Sequence, residues 1–386
     1  MNQDTSRPGQ IDLRSDLCTV PTAEMWEAMR AAELGWATVG EDASVNELCE
    51  RVASLLGKPA ALWVPTCGMA NLVALLTFCE PGEAVVLESS SHVLTSEAMG
   101  IVEIARLEPR SLFAADGRLD PGAVDELLAE TGAPLLVLEN THTRAGGTVL
   151  SVEATRALVD VARRHDCRVH VDGARLVNAA VALGAPLAEL VAGANSVALS
   201  LNKGLSAPMG TVLAGSDAVV ARARTMLHRL GGSTVHRAGI AAAAGLVALD
   251  TMVDRIADDH RRARDLASRV ASIPGLRLDS ERVETNIVLI DVSATGLAAA
   301  ELVGLLAAGG LLSLERDPAR IRLVTHRLVT DGDVAEAARI VADVVEQHAV
   351  SPDALPEVEG YAEFEAAENA GPGTGEMPTH QESGAT

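Results

Sequence analysis

The chain has 386 residues, 48% of them hydrophobic but only 2% aromatic, and a formal net charge of −22. That length carries a full hydrophobic core with room for a large and a smaller domain, and that charge argues against nucleic acid as a partner, because its phosphates would be repelled. The apolar runs are broken by charges short of the ~20 residues a membrane span needs, and the opening MNQDTSRPGQ lacks a basic region followed by an apolar stretch, so a cytoplasmic address is expected.

Residues 1–20 read as an N-terminal arm and 21–250 as the large domain. Between residues 60 and 215, short apolar runs alternate with helical stretches: ALWVP (61–65), AVVLES (84–89), LLVLEN (135–140), RVHVDG (168–173), SVALSL (196–201) and GTVLAG (210–215). Each run is too short for a buried helix, and most are rich in Val and Leu. They predict strands of a mostly parallel sheet covered by helices on both faces. A long helical stretch over about 238–270 leads into strands near 285–292 and 320–326 and helices near 297–308 and 333–348, a smaller C-terminal α/β domain spanning 251–350. From Ser351 onward there are eight acidic residues and no Lys or Arg, which predicts a disordered acidic tail over 351–386.

In a parallel α/β sheet, ligands sit just beyond the strand ends, and here those positions are unusually functional. Thr66-Cys67-Gly68 follows the first run, His92 the second, Thr141-His142 the third, Arg175 the fourth and Asn202-Lys203 the fifth. The chain has only two lysines, Lys58 and Lys203, so a Schiff-base enzyme has two candidates. Lys203 at a strand end fits an imine-forming lysine as well as a surface lysine at a turn. Asp172 fits a carboxylate facing a protonated pyridine nitrogen as well as a helix cap. The turn at 66–71 opens a helix whose free N–H groups suit a phosphate. Arg175 and Arg322 are forks that can grip a carboxylate. The five cysteines are scattered without metal-ligand spacing, so reduced thiols and no metal site are expected.

From about Ile11 to about Val345 the chain resembles the low-specificity L-threonine aldolases, within the beta-eliminating lyase and threonine aldolase group of pyridoxal-phosphate enzymes. The resemblance is carried by IDLRSD (11–16), GED (40–42), GMAN (68–71), HVLTSEAMG (92–100), LENTHTRAGG (138–147), VDGARLVNAAVALG (171–184), KGLSAPMG (203–210), AGIAAAAG (238–245), TNIV and LVTH. It implies fold type I, the aspartate-aminotransferase class. It further implies Lys203 as the Schiff-base lysine, Asp172 as the pyridinium partner and His92 stacked over the ring. Cys67, Gly68 and Arg175 would line the cofactor, Ser15, Arg175 and Arg322 the substrate carboxylate, and His92 and His142 the β-hydroxyl. Such enzymes cleave a β-hydroxy-α-amino acid, such as L-threonine or L-allo-threonine, to glycine and an aldehyde, and work as homodimers or homotetramers.

Several positions depart from the family pattern. Thr66-Cys67-Gly68 stands for the usual Ser-Gly-Thr, Val39 for a tyrosine and Asn202 for a serine. The Gly-rich segment that in the family lends cationic groups to a neighbouring subunit's phosphate reads HRLGGSTVHRAG (228–239), so either His228, His236 or Arg237 supplies the charge or it is absent. The same scaffold also supports β-elimination or glycyl transfer in a specialised biosynthetic pathway, and a non-catalytic relative is a further alternative.

Overall fold

The computed structural model describes residues 9–97, 100–278 and 280–349, so the acidic segment 351–386 lies outside the described residues. The chain opens with β1 (Ile11–Asp12), α1 (Ala23–Ala31) and α2 (Ala43–Leu55). Next come β2 (Ala60–Val64), α3 (Cys67–Phe78), β3 (Ala84–Glu88), α4 (His92–Thr95), β4 (Glu108–Leu112) and α5 (Pro121–Thr131). They are followed by β5 (Leu135–Glu139), α6 (Val152–Arg164), β6 (Arg168–Gly173), α7 (Leu176–Leu183), α8 (Leu187–Leu190), β7 (Ser196–Ser200) and β8 (Thr211–Gly215). The remainder is α9 (Asp217–Arg229), α10 (Gly239–Thr251), α11 (Ile256–Val270), β9 (Ile287–Asp291), α12 (Ala299–Ala308), β10 (Leu311–Leu312), β11 (Leu314–Asp317), β12 (Arg320–Val324) and α13 (Asp331–His348).

Seven strands form one sheet in the order β2-β8-β7-β6-β5-β3-β4. The pairs from β7 through β6, β5 and β3 to β4 are parallel, while β8 runs antiparallel to both of its neighbours. Strands β5, β7 and β8 are buried along their whole length, as expected where helices cover both faces. Helix boundaries follow local chemistry. Asp120 caps α5 by accepting from Ala123 N–H, Pro121 occupies the first turn, and Gly132 ends the helix in the left-handed conformation.

Two expectations are corrected. The stretch 238–270 is two helices, because Ala-rich α10 is buried against α1 and α2, whereas α11 is charged and packs a single apolar stripe against α13. Strand β4 carries no apolar run to announce it. Its EPRSL sequence suits the half-exposed outer edge of the sheet, where a proline is tolerated.

A second core gathers the three-stranded antiparallel sheet β11-β12-β9 with α11, α12 and α13. The N-terminal segment is clipped into it. Strand β1 pairs in parallel with β10, Leu13 is fully buried in this core, and Val324 N–H donates to the Leu13 carbonyl at 2.8 Å. Residues 14–16 are thereby held over the ends of β5, β6 and β7. No helix among the described residues is long and apolar enough to cross a membrane.

Candidate active site

The cleft is built from the residues that leave the parallel strands. Asp172, near the end of β6, is buried, and three donors converge on its carboxylate: Asn71 Nδ2 at 2.9 Å, Ala174 N–H at 3.0 Å and Cys67 Sγ at 3.6 Å. Behind Asn71 stands His170, fully buried, with Nε2 3.1 Å from Asn71 Oδ1 and Nδ1 2.7 Å from Ser196 Oγ. Burial pushes the His170 pKa down to about 4, so the ring is neutral at physiological pH. A neutral ring donating from Nε2 fixes the Asn71 amide with its NH2 toward Asp172. Four side chains on β6, β7 and α3 thus hold one carboxylate still.

Lys203 follows β7 and is half-buried, and its ammonium has no hydrogen-bonded or ion-paired partner among the described residues. Its charge is felt at both Asp16 and Cys67, which places it between the floor of the cleft and residues 14–16. The first turn of α3 is capped by Thr66, which accepts from Met69 N–H at 3.2 Å. That leaves the N–H groups of Cys67 and Gly68 without intrahelical acceptors. Beside that turn a cavity of about 450 Å³ is lined by Thr66, Gly68, Glu97 and a largely apolar wall that includes Leu72, Leu75 and Val93, and Lys203 and Asp172 do not line it. Gly68 keeps it open, since an added Cβ would stand 3.2 Å from the Glu97 carboxylate.

His92 opens α4, its main-chain N–H held by Glu139 at 2.7 Å and its Nδ1 2.8 Å from Glu97 Oε1. The Glu97 hydrogen bond raises its pKa against the opposing effect of burial, with help from Asp172. A carboxylate accepts, so Nδ1 carries the proton and Nε2 presents the lone pair. Glu97 lies in the HVLTSEAMG segment but was not anticipated as a site residue. Its spacing from His92 is not helical, and the intervening turn cannot be read from sequence.

His142 is placed differently from expectation. It is buried, with Nε2 2.9 Å from Glu88 and Nδ1 accepting from Ala145 N–H at 3.3 Å, so both ring nitrogens are engaged. Gly117, at φ +75°, makes the space, because a Cβ there would meet His142 Cγ at 2.4 Å. Glu88 also receives Ser89, Ser90 and Ala114. Burial would lower the His142 pKa, but Glu139 and Glu88 raise it.

Arg175 is more constrained than its sequence suggested. Nε and NH2 bind Asp16 at 2.8 and 2.7 Å, and NH1 donates to Thr143 Oγ1 at 2.8 Å. Both members of the Arg175–Asp16 pair are buried. Burial alone would raise the Asp16 carboxyl, but the Arg175 guanidinium and then Lys203 hold it far below the usual carboxylate range. Only the second hydrogens of NH1 and NH2 remain for a substrate. Ser15 lies beside them, buried, its hydroxyl accepting from Leu17 N–H. Arg322 on β12 donates from NH2 to the Arg14 carbonyl at 3.2 Å, and its buried Nε has no partner. Burial, together with the nearby Arg175, Arg316 and Arg144, lowers its pKa to about 10.

His228 and Arg237 are not brought to this cleft. His228 binds Ser233 and lines a separate cavity of about 870 Å³ together with Cys49, Trp63 and Arg224. Arg237 donates to the Gly35 carbonyl at 2.7 Å, and His236 meets the indole N–H of Trp36 at 3.2 Å. All three residues are exposed.

The family profile described as beta-eliminating lyase matches residues 12–295. The chain belongs to the beta-eliminating lyase family. Within or beside this family it is 37% identical to low-specificity L-threonine aldolase 1 of Arabidopsis thaliana over 334 residues, covering 84% of this chain and 93% of the relative. It is 38% identical to low specificity L-threonine aldolase of Escherichia coli O157:H7 over 336 residues, covering 85% and 97%. Its fold matches the threonine aldolase of Leishmania major with a TM-score of 0.72 at 17% identity, over 86% of this chain and 99% of that one. It also matches an aspartate aminotransferase of Rhodobacter sphaeroides with a TM-score of 0.70 at 19% identity, over 88% and 94%. The lyase family and the aspartate-aminotransferase fold are those the sequence motifs implied.

Proposed function

We propose that this protein is a pyridoxal-phosphate-dependent aldehyde-lyase that cleaves the Cα–Cβ bond of a β-hydroxy-α-amino acid, L-threonine or L-allo-threonine among them, to glycine and an aldehyde. The observation that carries the reading is the unpartnered, half-buried Lys203 ammonium one strand away from the Asp172 carboxylate. The residues fit the cofactor: Lys203 for the imine, Asp172 for the ring nitrogen, and the open first turn of α3 with Cys67 and Gly68 for the phosphate. When bound, pyridoxal phosphate accepts the electron pair that the broken Cα–Cβ bond leaves on Cα.

The protein's own groups then have separable tasks. Asp172, held by Asn71 and Cys67, would be the carboxylate to face the cofactor's ring nitrogen. Ser15 and Arg322 grip the α-carboxylate, with Arg175 and its buried partner Asp16 fixing their position. His92, with Nδ1 on Glu97, takes the β-hydroxyl proton at Nε2 in the manner of a base oriented by a carboxylate. His142, braced by Glu88, stands behind it and answers to the same β-hydroxyl only if it exchanges that contact.

We further infer a large cofactor-binding domain over 21–250, a small domain over 251–350 and an arm over 1–20, supported by the separate cores on the two sheets. A homodimer or homotetramer is supported by the apolar surface of Trp26, Leu34, Trp36, Val39 and Ile240, and by the exposed placement of His228 and Arg237 away from this chain's own cleft. A reducing, cytoplasmic setting is supported by five unpaired cysteines.

The test is the absorbance spectrum of the protein beside Lys203→Ala, followed by assay of aldehyde and glycine from L-threonine, L-allo-threonine and L-phenylserine. A visible band lost in the variant, with aldehyde from any of the three, is expected. Ammonia and an oxo acid in place of aldehyde and glycine would move the reading to β-elimination, which the family description keeps in view. No band after reconstitution with the cofactor would overturn the proposal.

A further inference from the structure

The mouth of the cleft holds more positive charge than a threonine-like substrate needs. Three segments distant in sequence meet there. Residues 143–147 pack on β9, where a Cβ on Gly146 would touch Leu289 at 3.3 Å, and Leu289 is the cross-strand neighbour of Arg322. On the other side of β12, β11 brings Arg316, whose Nε donates to the Arg144 carbonyl at 2.9 Å and whose side chain is only 12% exposed. Thr143, next to Arg144, is tied through Arg175 to Asp16, beside Ser15. Arg144 therefore stands on the same rim as the groups assigned to the α-carboxylate.

The charges at this rim do not cancel. Arg14 is matched by Asp12 and Arg175 by Asp16. Arg144 has no hydrogen-bonded or ion-paired side-chain partner among the described residues, and Arg322 has only the Arg14 carbonyl. Arg144 is near enough to Arg322 to add, after burial, Arg175 and Arg316, to the lowering of its pKa, with Asp16 alone acting the other way. One α-carboxylate with Arg322 leaves Arg144 uncompensated. Nothing in the cleavage of a neutral side chain uses that second charge.

We propose that Arg144 is a specificity residue for a second anionic group, a carboxylate or phosphate on the half of the substrate that leaves as the aldehyde. This rests on the aldolase reading. With 3-hydroxyaspartate, the Cα–Cβ bond breaks, the β-hydroxyl loses its proton as its C–O bond becomes C=O, and the electron pair left on Cα takes up a proton. Glycine and glyoxylate leave, and no oxidant or reductant is consumed. A phosphate in place of the second carboxylate, as in 4-phosphooxythreonine, gives glycine and glycolaldehyde phosphate by the same balance.

The test compares kcat/KM for 3-hydroxyaspartate and for 4-phosphooxythreonine, each divided by that for L-threonine, in the wild-type holoenzyme and in Arg144→Gln. The better anionic substrate should exceed L-threonine by about tenfold or more, and Arg144→Gln should cut that ratio by roughly 10- to 100-fold, as expected for a charged hydrogen bond lost. Which of the two probes gains identifies the anion. In the wild type alone the ratio should fall with added salt, which keeps the test independent of how well the variant folds. A ratio at or below one, or one unmoved by both salt and substitution, overturns the proposal while leaving threonine cleavage standing. Absence of aldehyde from every substrate overturns the aldolase reading and this inference with it.

Discussion

At the floor of the cleft, Ser196, His170, Asn71 and Asp172 pass hydrogen bonds from one to the next until each nitrogen of His170 and each polar atom of Asn71 has a partner. At the rim, Arg144 and Arg322 sit within electrostatic reach of each other, and among the described residues neither has a carboxylate as an ion-pair partner. The floor stands on the adjacent buried strands β6 and β7 and on the first turns of α3, the helix packed against them. The rim is assembled from 14–16, 143–147 and 314–322, three segments distant in sequence that tertiary contacts bring together. A buried polar group must be satisfied within the protein, so the floor is closed upon itself. A rim that opens to solvent can leave charge for a ligand to complete.

The comparison can be broken most severely at Lys203. Lys203→Ala should abolish the visible band and lower kcat by about 10⁴-fold or more, since the groups around it act as a unit. Next in size is Asp16→Asn. Leaving the Arg175 guanidinium buried without its partner should cost about 3–5 kcal/mol in unfolding free energy, measured by urea denaturation. The sign with pH follows from the depressed folded-state pKa of Asp16. Its contribution is present above the unfolded value of about 3.9 and is lost as pH falls toward the folded one. The melting temperatures of wild type and Asp16→Asn should therefore converge as the solution is acidified below that value.

At the floor, Asn71→Ala orphans His170 Nε2 and removes one donor from Asp172, and should cost about 1–3 kcal/mol. Glu97→Gln sharpens the comparison differently. Glu97 raises the His92 pKa, and a base must be unprotonated to act. The acid limb of the kcat/KM profile should therefore move to lower pH in the variant, and an unmoved limb would remove His92 from the role of base. The smallest effect is expected far from both regions. Thr330→Ala removes the hydroxyl of the capping box that starts α13 and should cost about 1 kcal/mol with kcat unchanged.

The strands of the parallel sheet were legible because a strand covered on both faces has to be apolar throughout, and runs such as LLVLE admit no other placement. The residues just beyond them were legible for the complementary reason, since polar side chains follow those runs with no core to enter. Lys203 falls in this class, and Asp172 was marked by being the one charge in the buried end of the run RVHVDG. The partners were not legible. Glu88 and Glu97 are ordinary acidic residues in sequence, and only the fold shows that they engage His142 and His92. Nor could periodicity reveal β4, a half-exposed edge, or the two-residue strands β1 and β10, which pair across about 300 residues of sequence. Arg175 was read as a substrate fork, but its pairing with Asp16 is set by a segment 159 residues away.

That pairing of β1 with β10 also sets an order of assembly. Ile11 is matched to Leu311 and Asp12 to Leu312, and Leu13 closes against the strand that carries Arg322. Ile11 to Leu13 can therefore dock only after residues 311–324 have been made. Until then Arg175 has no Asp16 and the substrate carboxylate no Ser15, even if the seven-stranded sheet is already complete. A nascent or shortened chain that has folded its sheet but lacks β10 and β12 would hold Lys203 and Asp172 in place yet lack the means to grip a substrate, so the competence of the site reports on chain made well beyond the seven-stranded sheet.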